Sequence, residues 1–216
     1  MSIDASKLAE QVKLAYDFID ALHSQALALI KDVELQLGET SREAGAQLAA
    51  LRPGNNYQFA TNSMSKAMDM PRPVVTNYYA AFFKVGSGRA KQSPADGRTP
   101  MAFVKVVLRE RDLDHPEVRF GVVSELTRGS QRAKAGPQTI EQLAMRIAES
   151  VLDSRSLTGS KQYEVEYSDS SLRCHVSGRA VRLADLPDSE AVAHKVVEPL
   201  LEMFAEVAPA NSPGGR

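Results

Sequence analysis

Met101-Ala-Phe-Val-Lys-Val-Val-Leu-Arg-Glu-Arg111 and Glu117-Val-Arg-Phe-Gly-Val-Val-Ser-Glu-Leu126 decide the fold. Both runs are dense in β-branched and aromatic side chains, which suit a pleated, packed surface better than a helix. Asp112-Leu-Asp-His-Pro116 lies between them as a short polar turn. The three pieces together predict an antiparallel hairpin.

Working outward, Val74 to Val85 reads as a further strand, as do Gln162 to Tyr167 and Leu172 to Val181, joined by the turn-like Ser168-Asp-Ser-Ser171. In the first of that last pair, Tyr163, Val165 and Tyr167 alternate with Gln162, Glu164 and Glu166, so one of its faces is expected to be solvated. Thr139 is placed to cap a helix from Ile140 to Asp153, with Ile140, Leu143, Ile147 and Val151 inward. A closing helix from Ser189 to Val207 points Val192, Val196, Leu200 and Phe204 inward, and Pro199 is expected to kink or split it. The class that results is α+β: a mostly antiparallel sheet of about five strands, with helices covering one sheet face.

The first third is helical in pattern. Residues 6–37 contain neither proline nor glycine before Gly38, and Ser6 is suited to cap the start. Leu8, Val12, Ala15, Ile19, Leu22, Ala26, Leu29 and Val33 recur at alternating spacings of four and three, the seam of a coiled coil or helical hairpin. Leu14, Phe18, Leu27 and Ile30 widen that face, so the helix is expected to pack on two sides or against a second chain. Leu8, Val12, Ile19, Leu22, Leu29 and Val33 are the expected partner contacts. A short helix over 41–51 follows, and Pro53-Gly54-Asn55-Asn56 is turn chemistry. The expected organisation is a helical region over 1–52, a sheet domain over 53–207 and a flexible tail over 208–216.

Composition narrows the function classes. In 216 residues, 26 basic and 27 acidic side chains give a net charge of −1, so no global field draws the chain to nucleic acid or acidic lipid. The charge is unevenly spread: residues 86–136 carry a net +4 and residues 137–216 a net −4. One cysteine, Cys174, excludes an internal disulfide and any multi-cysteine zinc site within one chain. The first residues have no signal-peptide pattern, and no run approaches the ~20 apolar residues of a membrane span. A cytoplasmic location without membrane association is expected.

The basic segment holds a short repeat. Gly86-Ser-Gly-Arg-Ala-Lys-Gln-Ser-Pro94 and Gly129-Ser-Gln-Arg-Ala-Lys-Ala-Gly-Pro137 agree at six of nine positions, and each follows a strand. Glycine exposes backbone amides, serine adds a hydroxyl, and Arg89, Lys91, Arg132 and Lys134 add charge, flanked by Lys84, Arg98 and Arg128. That combination suits phosphate oxygens. Arg109, Arg111, Arg119, Arg173, Arg179 and Arg182 stud the strands, where they either pair with glutamates on a wet face or line a nucleic-acid surface with Tyr78 or Tyr79 as stacking platforms. Asp112, Asp114, His115 and Glu117 lack the glycine and distal glutamate of a calcium loop. His175 adjoins Cys174 in a strand, on the opposite face, so the two do not form a nucleophile–base pair. No catalytic residue, metal or cofactor is expected.

Three functions fit this reading: an adaptor subunit that self-associates or binds a protein through the long helix, a nucleic-acid-binding accessory protein that grips phosphates with the two loops, and an enzyme for a phosphorylated small molecule.

Overall fold

In the computed structural model, residues 5–43, 48–50, 59–60, 78–85, 100–108, 113–128, 144, 147–152, 162–168 and 172–207 are described. The hairpin at the heart of the sequence is the heart of the sheet. Strand β4 (Met101–Val107) is buried at every residue, with apolar side chains to both faces and one lysine among them. It pairs antiparallel with β5 (Glu117–Arg128), Met101 opposite Val123 and Val107 opposite Glu117. A strand buried on both faces lies between two layers, so helices cover both sides of this sheet rather than one.

Five long strands form an open antiparallel sheet. Strand β3 (Tyr78–Val85) pairs with β4, and β7 (Leu172–Arg182) pairs with both β5 and β6 (Gln162–Ser168). Two short strands, β1 (Leu48–Ala50) and β2 (Phe59–Ala60), pair with the outer side of β3, and β6 is the opposite edge. Strand β5 bulges between Ser124 and Thr127, where Glu125 takes a φ of 51°. The extra residue turns the end of the strand.

Helix α1 (Ala5–Glu43) is longer than the sequence pattern indicates. Gly38 lies inside it and does not end it, since a single exposed-side glycine costs only about 1 kcal/mol against alanine. The short helix expected over 41–51 is absent: residues 41–43 finish α1, and Leu48–Ala50 joins the sheet. A π-helical turn, α2 (Ile147–Val151), lies within the helix expected over 140–153; most of the remainder of that stretch lies outside the described residues.

Helix α3 occupies residues 189–207. Asp188 caps it, its carboxylate accepting from the Ala191 amide at 2.8 Å. Ala193–Val197 within it is a π turn, followed at once by the α-helical Glu198–Val207 containing Pro199. Pro199 has no amide to offer the carbonyl four residues back, and the widened turn before it absorbs that defect. The predicted interruption is therefore a π turn within a continuous helix.

Two cores result. Above the sheet, Tyr79, Ala81, Phe83, Val104, Val106, Val118, Phe120 and Val122 meet α1 and α3, which contribute Ala26, Leu29, Val33, Leu37, Val196, Leu200 and Phe204 among others. Below it, Tyr78, Phe82, Met101, Phe103, Val123, Cys174 and Val176 meet Ala144, Ile147, Ala148, Val151 and Leu152. A cross-strand row on the lower face runs Phe82, Phe103, Gly121, Gly178, Tyr163. Gly178 makes room for the Tyr163 ring, since a Cβ there would stand 2.5 Å from it, and Gly121 lets the β7 backbone at Ser177 and Gly178 approach closely.

Candidate interaction surface

Helix α1 has two environments along one face. From His23 onward it lies on the sheet, with Ala26, Leu29, Ile30, Val33 and Leu37 buried. His23 itself is buried, its Nδ1 2.7 Å from the Tyr79 hydroxyl and the two rings edge to face. Burial holds the imidazole below its usual titration range, against a smaller upward pull from Asp20. Farther along, the Ser189 hydroxyl donates to the Asp32 carboxylate at 2.7 Å, and Gln36 Nε2 donates to the Ser189 carbonyl at 3.0 Å, tying α1 to the start of α3.

Before Ile19 nothing in the described residues covers the helix. Residues 7–18 are all exposed. Leu8 is 48% exposed, Val12 47%, Leu14 61%, Tyr16 60% and Phe18 67%. Scattered apolar side chains on a surface need no explanation, but these five fall within eleven residues of one helix. The seam of eight positions is thus divided. Leu8 and Val12 are free, Ile19 is half-buried, and Leu22 is half-buried against the upper core. Leu29 and Val33, expected to meet a partner, are corrected: they are buried under this chain's own sheet. Periodicity alone does not distinguish a seam that meets a sheet from one that meets a second helix.

The basic loops begin at a common end of the sheet. Strands β3 and β5 flank β4 and are each antiparallel to it, so they run parallel to one another. Val85 and Arg128, the last residues of β3 and β5, therefore point to the same end, with β5 running four residues past Ser124, the position level with Val85. Arg173, paired with Thr127 and Ser168, is at that end too. Arg89, Lys91, Arg98, Arg132 and Lys134 lie outside the described residues, as do Arg109 and Arg111, and Arg128 is described by its backbone alone. Lys84, expected among the phosphate contacts, is buried within β3. Tyr78 and Tyr79 are buried as well, one on each face, and offer no stacking platform.

Sequence reasoning missed a buried polar cluster on the lower face. Lys105 and Arg119 sit directly opposite each other on β4 and β5, both fully buried. Lys105 Nζ donates to the carbonyls of Ala148 at 3.1 Å and Leu152 at 3.3 Å, and lies 4.1 Å from the centre of the Tyr78 ring. Arg119 donates to the Leu152 carbonyl at 2.9 Å and through Nε to Glu117 Oε1 at 2.6 Å. Both cations thus serve the negative, carbonyl-bearing end of a helical segment, where positive charge is favoured. The Tyr163 hydroxyl beside them has no hydrogen-bond partner among the described residues. Burial pushes this phenol far above its usual range. The available signal was Lys105, a lone cation inside the otherwise apolar β4, and Arg119, two residues from Glu117 in the apolar half of β5.

Arg179 and His175 lie on the upper face of β7, where Glu164 and Glu166 are exposed beside them. His175 Nδ1 is 2.6 Å from Glu166 Oε1. Cys174 is buried on the other face, so the thiol and imidazole are separated by the sheet. Among the described residues no cluster of His, Cys, Asp and Glu is arranged to hold a metal ion, and no helix is long and apolar enough to cross a membrane. The chain matches no protein-family model, no curated protein and no solved structure.

Proposed function

We propose that this protein is a non-enzymatic interaction subunit that docks a protein surface onto the first half of α1. One observation carries the reading: Leu8, Val12, Tyr16 and Phe18 stand about half exposed or more on a helix whose second half buries Ala26, Leu29, Ile30, Val33 and Leu37. Water solvates such a face poorly, and covering it is the favourable step. Such a subunit would work in the cytoplasm, where the lone thiol stays reduced. The test is the pair Val12→Asp and Phe18→Asp in one chain. Both side chains are exposed, so the thermal midpoint of the isolated chain should not move. Self-association, or recovery of a protein partner from the native host, should be lost. Unchanged association in that variant removes the proposal.

A nucleic-acid-binding role is the second reading, favoured by the common end at which β3 and β5 release the two Gly-Ser-x-Arg-Ala-Lys loops. Four added phosphate contacts would make binding fall steeply with salt. Replacing Arg89, Lys91, Arg132 and Lys134 with alanine should weaken binding to any sequence and lower the salt slope by about 3 to 4. An unaltered slope rules out the loops.

A further inference from the structure

We infer that the occupant of the free half of α1 is a second copy of this chain, bound antiparallel, with Leu8 of one copy opposite Ile19 of the other and Val12 opposite Ala15. This rests on the proposed interaction role and names its partner.

Three observations converge. The first is the face. Seam positions Leu8, Val12 and Ala15 are open and Ile19 is half-buried, whereas those after Leu22 are covered by the sheet. A parallel partner lying along the open seam would continue past Leu22 into space that this chain's own sheet fills. An antiparallel partner does not. Its residues from Ile19 back to Leu8 run beside residues 8 to 19, and each sheet begins beyond the other helix's start.

The second is register. Leu8, Val12, Ala15 and Ile19 are symmetric about the point between Lys13 and Leu14. Reversing the segment therefore lays the seam on itself, each large residue against an apolar one and Val12 against the small Ala15. An isologous contact of this kind closes on two copies.

The third is charge. In the heptad that places Val12 and Ile19 at a, and Leu8 and Ala15 at d, the charged residues Lys7, Glu10, Lys13, Asp17 and Asp20 all fall at b, c or f, away from the partner. The flanking e and g positions are Ala9, Gln11, Tyr16 and Phe18. No charge would be desolvated and no like charges would meet. The half-exposed seam and flank offer on the order of 500 Å² per copy, less than the ~800 Å² per partner of a standard stable interface. The dimer should therefore dissociate on dilution.

The test uses the full chain. Sedimentation should show a concentration-dependent dimer, and the Val12→Asp, Phe18→Asp chain should associate at least ~100-fold more weakly, since it would bury unpaired carboxylates. Leu8→Cys and Ile19→Cys chains are then treated with a short bismaleimide, separately and mixed. The parent chain is the control, its Cys174 being fully buried. Cross-linking should require the mixture, because like positions lie about 16 Å apart along an antiparallel pair. Cross-linking of each variant alone would establish a parallel pair and overturn the arrangement. A parent chain that stays monomeric, while the double aspartate variant loses a different protein, would overturn the second copy and leave the interaction role standing. A monomeric parent with no aspartate-sensitive partner would remove both. A dimer indifferent to the aspartates would place the interface elsewhere and remove both as well.

Discussion

Arg119 shows what a buried cation commits its neighbours to. Its guanidinium is held between Glu117 and the Leu152 carbonyl with no access to water. Arg119→Ala takes the guanidinium from the buried Glu117 carboxylate and leaves the Leu152 carbonyl to Lys105 alone, at a cost of about 3–5 kcal/mol, a large share of the ~5–15 kcal/mol that stabilises a typical domain. Urea denaturation should show the midpoint falling accordingly, whereas Arg173→Ala, on an exposed site, should change little. His23 imposes a pH dependence. Its folded-state pKa is depressed by burial, so below its ordinary value of 6.5 the unfolded chain binds more protons than the folded one. Stability from this group is present above that value and is lost as pH falls. His194 acts in the opposite sense: hydrogen bonding to Glu198 raises its pKa, and its small contribution is lost as pH rises. A His23→Gln chain should lose less stability than the parent between pH 6.5 and pH 5, measured by denaturation at each pH. Neither residue was legible for what it does. Arg119 read as a member of a wet face, because alternation marks which residues share a face and not which layer covers it.

At the scale of elements the sequence was more informative. β-branched runs separated by polar turns placed the five long strands, and inward periodicity placed Val192, Val196, Leu200 and Phe204 of α3, all of which are buried. The misreadings occurred where a short segment follows the demands of its neighbours. Leu48–Ala50 has helix-forming residues but pairs with Phe83–Val85, since an open edge of β3 offers hydrogen bonds that three residues cannot make alone. Among the described residues nothing pairs with the opposite edge, and β6 carries exposed Gln162, Glu164 and Glu166 there. Charges on an edge strand deter pairing with another sheet. Replacing Glu164 and Glu166 with valine should leave the fold intact and produce strand-edge aggregation, read as rising light scattering and thioflavin fluorescence at neutral pH. Absence of aggregation at high concentration would show that the edge is protected by other means.

At the scale of the molecule, the candidate site was half legible. The heptad spacing marked an apolar seam along α1, but one uninterrupted pattern spans both a covered and an exposed stretch, and only the sheet's position reveals where one ends and the other starts. The free stretch of about fourteen residues is near the length at which an isolated helix is marginal in water. Its helical order should then depend on being covered. Amide hydrogens of residues 7–20 should exchange nearly as fast as in an unstructured peptide when the chain is dilute, and slow down as it assembles, while those of β4 remain protected throughout. A chain assembled in the proposed way would carry a report of its own assembly: an orphaned copy would present a frayed, apolar segment that proteases can grip, and an assembled copy would hide it. Survival of the protein in a cell would then track the supply of whatever covers that helix, with no separate sensor required.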